Sequence, residues 1–106
     1  MPKYLITASY TAEGLKGLLK EGGSSRRAMV QKLAESVGGK LESLYYTFGE
    51  HDVIAIYDVP DNTTATALSL TVGASGLVRI TTTPLVTPEE VDAATKKPVS
   101  YRGPGG

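Results

Sequence analysis

The chain contains no cysteine and no tryptophan, and only one histidine and one phenylalanine. Without cysteine there is no disulfide framework and no thiolate chemistry. One histidine among scattered carboxylates does not make a metal cluster, so no metal is expected. It is also a thin basis for a haem ligand, and no cofactor is expected. Charge of one sign is not in excess either. Eleven basic residues balance eleven acidic ones, so no overall field gathers nucleic acid or anionic lipid, and neither is expected as a partner. No apolar run approaches the length of a membrane span, and MPKYLITASY at the start lacks the apolar core of a signal peptide. A cytoplasmic location is the expectation.

What is present is an ordinary globular composition, 41% hydrophobic and 21% charged over 106 residues. That length supports one domain with a single core. The densest structural signal is Leu41 to Asp61, LESLYYTFGEHDVIAIYDVPD. Leu41 to Phe48 and Val53 to Val59 are rich in aromatic and β-branched residues, as strands are. Gly49-Glu50 suits a two-residue turn, with Gly supplying the positive φ of a type II′ turn. This register sets Phe48 opposite His51 and Thr47 opposite Asp52. One face then carries Leu44, Tyr46, Phe48, His51, Val53, Ala55 and Tyr57. The other carries Leu41, Tyr45, Thr47, Asp52, Ile54 and Ile56. A one-residue bulge would exchange the faces of one strand.

The flanking segments complete the pattern. Lys3 to Tyr10 reads as a first strand. Thr11 caps a short helix of one or two turns, weakened by Gly14 and Gly17. Ser24 or Ser25 caps a second helix over Arg26 to Val37, with apolar residues at helical spacing and Gly38-Gly39 as its end. A further helix is expected near Thr63 to Val72, and a fourth strand over Leu77 to Leu85. Thr87-Pro88-Glu89-Glu90 opens a last short helix. Residues 1–95 form the domain, and residues 96–106 a tail of disordered composition.

The order is β-α-β-β-α-β, the split βαβ pattern of α+β proteins. It implies a four-stranded antiparallel sheet with both helices on one face. The sequence assigns Leu44, Tyr46, Phe48, Val53 and Tyr57 to the bare face. An apolar patch of that kind marks an interface or a ligand cavity. A homodimer packed sheet against sheet, or a larger assembly of such dimers, is the expected form.

The hairpin GEHDVIAIYDVPD, the preceding YYTF, the later LVRITTTPL and the stretch YTAEGLKGLLKEGGSSRR resemble the GYD-domain family over roughly residues 3 to 92. Gly49, His51 and Asp52 stand at the Gly-Tyr-Asp motif, with Glu50 between Gly49 and His51. The motif tyrosine is His51 here. The resemblance implies a ferredoxin-like fold of the dimeric α/β barrel type and implies no reaction.

His51 is the sharpest chemical candidate, as a general acid or base lining a cavity. Its alternative is a turn-end histidine at the barrel rim, with Asp52 bonded to Thr47 or to turn amides. Arg79, with Thr81 and Thr83 on its face, could hold an anionic group or form a salt bridge between protomers. Tyr45, Tyr46 and Tyr57 could shape a pocket or simply pack. Gly22-Gly23-Ser24-Ser25-Arg26-Arg27 resembles an anion site at a helix start, with Ser24, Ser25 and Arg26 as candidates. It lacks the P-loop pattern, and a loop with solvated arginines explains it as well. Three functions fit: a small-molecule-binding module with a cavity at the sheet face, a cofactor-independent isomerase-like or monooxygenase-like enzyme on a small organic substrate, and an oligomeric scaffold. The first is preferred.

Overall fold

The computed structural model describes residues 1–47 and 49–106. Eight elements follow in order: β1 (Lys3–Tyr10), α1 (Ala12–Glu21), α2 (Gly23–Ser36), β2 (Lys40–Tyr46), β3 (Val53–Asp58), α3 (Asn62–Ala74), β4 (Val78–Leu85) and α4 (Pro88–Ala94). The sheet order is β2-β3-β1-β4, and every pairing is antiparallel. This is the ferredoxin-like α+β fold that the strand and helix order implies.

The core occupies one face of the sheet. Tyr4, Ile6 and Ala8 of β1 and Val53, Ala55 and Tyr57 of β3 are buried there against Ala65 and Leu68 of α3. They alternate along their strands, as a sheet covered on one side requires. Leu44 and Tyr46 of β2 and Leu33 of α2 pack against the same cluster. The residues assigned to the bare face by sequence are therefore the covered ones. The grouping of Leu44, Tyr46, Val53, Ala55 and Tyr57 holds, but the helices lie over them. Leu41 also changes sides. The ladder slips between Leu41 and Ser43, and this bulge pairs Leu41 with Tyr57 on the covered face. Phe48 lies outside the described residues. The uncovered face carries Leu5, Thr7, Ile54, Ile56, Tyr45, Arg79 and Thr81.

The helices differ from expectation at their starts. Thr11 caps α1, accepting from the Gly14 amide at 3.2 Å, but α1 runs for ten residues. Gly14 is there for contact: a Cβ on it would sit 2.1 Å from the Leu77 carbonyl oxygen. α2 begins at Gly23, so Ser24 and Ser25 lie in its first turn and neither caps it. The break is made by Gly22, whose φ of 89° only glycine takes readily. Gly38, at φ 78°, turns the chain after α2 as the Gly-Gly pair predicts. Asp61 caps α3 through the Thr64 amide at 2.8 Å.

α4 carries a complete capping box between Thr87 and Glu90 with Pro88 in its first turn. It buries nothing, and residues 88–106 are exposed throughout. The radius of gyration is 17.0 Å, against about 13 Å for a compact domain near this size. The C-terminal segment stands off the domain as an arm. Among the described residues no helix is long and apolar enough to cross a membrane.

Candidate functional site

Between the covered sheet face and helices α2 and α3 lies a cavity of about 90 Å³. Its floor is Ile6, Ala8, Val53, Ala55 and Tyr57. Its roof is Val30 and Leu33 of α2 with Leu68 and Val72 of α3. The small side chains make the room, because Ala8 and Ala55 sit on neighbouring strands where larger residues would fill the layer. A well-packed interior leaves few voids larger than a water molecule, so this one is a feature of the fold.

The wall is apolar apart from Tyr10, Arg26, Tyr46 and Tyr57. Tyr46, the last residue of β2, donates its hydroxyl to the Gly23 carbonyl oxygen at 3.0 Å. Burial first, and then the neighbouring Tyr10, raise its pKa above the ordinary tyrosine value, while Arg26 acts in the opposite sense. Burial likewise raises Tyr57. The Ser69 hydroxyl beside Tyr57 opposes that shift; its proton goes to the Ala65 carbonyl, and it also meets the Thr82 hydroxyl. The buried Tyr57 hydroxyl has no hydrogen-bond partner among the described residues, and the buried Nε of Arg26 has none either. Buried polar atoms are normally paired, so two such orphans on residues that line one apolar cavity mark it out.

The candidates from sequence separate into groups. Tyr46, Tyr57 and Arg26 converge on this cavity. Ser24 and Ser25 are exposed on α2, and neither lines the cavity. Arg79 and Thr81 are exposed on the uncovered face, opposite Ser9 and Thr7 of β1. His51 is half-buried in the β2–β3 loop, and its carbonyl accepts the Thr47 hydroxyl. Asp52 does not bond Thr47 through its side chain. Its carboxylate accepts the Tyr10 amide at 2.8 Å and its amide donates to the Ala8 carbonyl, so it pins the loop to β1. Neither His51 nor Arg79 lines the interior cavity. Tyr10 was missed by sequence reading, since a tyrosine at the end of a strand carries no signal of its own. Among the described residues no three metal-ligating side chains gather in one place.

The sequence likeness is specific. No curated protein and no solved structure matches the chain. A family model described as the GYD domain matches residues 4–95, nearly the whole folded unit, and the chain belongs to the GYD-domain family.

Proposed function

We propose that this protein is a cytoplasmic binding module for a small, mainly apolar molecule, held in the cavity between the sheet and helices α2 and α3. The supporting observation is that two residues lining that cavity, Tyr57 and Arg26, each carry a buried polar atom, Oη and Nε, without a partner among the described residues. Each orphan costs about 1–3 kcal/mol, and a guest with a matching polar group recovers it. Ligand sites are typically apolar with a few placed polar groups. This reading sets the site on the helix side of the sheet, whereas the sequence reading set it at the bare face between protomers.

Association belongs to the same proposal. The uncovered face carries Leu5, Ile54, Ile56 and Tyr45, with Ile54 37% and Tyr45 71% exposed. Covering this row with a second copy removes it from water and gives a homodimer or an assembly of dimers. The enzyme alternative draws on His51 and Arg79 meeting at one cavity, and that alternative has less support because neither touches the interior one. A scaffold without a ligand leaves the cavity and its orphaned groups without a role.

Native mass spectrometry on freshly purified, undialysed protein tests the reading. A dimer or multiple of it carrying a small extra mass is expected. A monomer without added mass would contradict both parts.

A further inference from the structure

Arg26 occupies a position that the cavity alone does not explain. Together with Tyr10, Val72 and Val78 it lines two spaces at once, the interior cavity and a groove of about 310 Å³ beside α1 that reaches the surface. Arg26 therefore stands on the wall between solvent and the apolar interior. A guanidinium is always charged and offers five donors. Its Nε is buried and bonded to nothing among the described residues, and the ion pairs found there, Lys3 with Glu42 and Asp58 and Lys16 with Glu13, do not include it. A half-buried cation without an anion is an unfavourable arrangement for a protein to keep.

The groups around it do not supply the missing charge. Tyr46 is held above its ordinary pKa by burial and then by Tyr10, so its phenol beside Arg26 supplies no negative charge near neutral pH. The Tyr46 hydroxyl proton is committed to the Gly23 carbonyl. Glu13 and Glu21 line the outer groove. Glu13 is paired with Lys16 at 3.2 Å, and Glu21 makes no ion pair with Arg26. An anion meeting Arg26 is thus favoured on the cavity side, with its apolar part directed inward.

We infer that the cavity is a site for a small organic monoanion, in its simplest form a short-chain carboxylate, whose charge rests on Arg26 and whose hydrocarbon body lies among Val53, Ala55 and Leu68. This rests on the small-molecule reading of the cavity and specifies the class of molecule. The volume sets its size. About 90 Å³ is less than the roughly 150 Å³ that admits benzene, so the body is a short or branched chain of about three or four carbons.

The test compares isobutyrate with isobutyramide, which share shape and differ in charge, by NMR titration of the full chain. The expected result is that isobutyrate shifts the Arg26 Nε–Hε signal and the methyl signals of Val53 and Leu68. It binds roughly tenfold tighter than the amide, the difference between a charged and a neutral hydrogen bond. Arg26→Gln abolishes that preference while isobutyramide still shifts the methyls, and Arg26→Lys, which lacks Nε, retains only part of it. Equal binding of the two probes, or methyl shifts without an Arg26 response, overturns the anionic class and leaves a neutral guest in the cavity. Silence of the methyl signals toward both probes overturns this inference and the cavity reading together. The wild-type ratio is decisive even if a variant fails to fold.

Discussion

Tyr46 Oη lies 3.0 Å from the carbonyl oxygen of Gly23. This single bond ties the end of β2 to the first residue of α2, and the two form one edge of the cavity. Gly23 accommodates the ring closely, since a Cβ there would lie 3.0 Å from Tyr46 Cε2. Tyr46→Phe removes the bond and keeps the ring. A loss of about 1 kcal/mol is expected, the usual net worth of one hydrogen bond. Urea denaturation of the two proteins side by side measures it.

Tyr57 behaves differently. Its ring meets Tyr4 edge-on at 5.9 Å, while its buried hydroxyl is unpartnered. Tyr57→Phe keeps the aromatic contact and removes the orphan, so ligand-free protein retains or gains stability. The pH dependence follows from its raised pKa. Folding favours the protonated phenol, so this contribution is fully present below the unfolded tyrosine pKa of about 10 and is lost as pH rises through the higher folded value. Wild type therefore weakens above about pH 10, and Tyr57→Phe weakens less there, as denaturation midpoints at neutral and alkaline pH would reveal.

Gly14 is the tightest glycine in the molecule. A methyl group on it would stand 2.1 Å from the Leu77 carbonyl oxygen and 3.0 Å from the Tyr10 ring. Helix propensity alone would make Gly14→Ala stabilising. Overpacking wins here, and a net loss of about 1–3 kcal/mol is expected. Gly17, with nothing near its Cβ position, provides the control: Gly17→Ala is expected to stabilise α1, and thermal melting of the pair separates the two effects.

These residues also illustrate how far the sequence could be read. The strand register was legible, because Tyr45 pairs with Ile54 and Tyr46 with Val53 as expected. The two-residue turn was not, because it would leave Thr47 and Asp52 a non-bonded pair, whereas the Thr47 amide donates to the Asp52 carbonyl at 2.8 Å. Nor was the side to be covered. Val53, Ala55 and Tyr57 alternate with Ile54 and Ile56, so both faces are apolar, and period-two alternation does not say where the helices dock. The apolar row that includes Val53 and Tyr57 suggested a partner surface, whereas the fold uses it as floor. The bulge beside Glu42 leaves no sequence mark, and it moved Leu41. At the site, Arg26 was singled out for its place at a helix start, but its meaning comes from Tyr10, Tyr46 and Tyr57, which lie on three strands. His51 drew attention as an imidazole beside Asp52 on the expected cavity face, and the fold does not bring it to the interior cavity.

The uncovered face provides an association test. Ile54 is 37% exposed and lies between Thr7 and Tyr45 on neighbouring strands. A lysine there meets water in a monomer and is desolvated in a sheet-to-sheet dimer. Ile54→Lys is expected to shift the protein to monomer with its fold intact, as sedimentation and circular dichroism would register. Unchanged association would show that the copies meet elsewhere.

The central claim is that the ligand cavity lies beneath the helices. Apolar cavities take up xenon without any polar contact. A crystal structure under xenon pressure is expected to show the gas among Leu33, Val53, Ala55 and Leu68, the side chains that line the space. Xenon seated only on the uncovered face beside Leu5 and Ile56, or nowhere in the protein, would contradict the account.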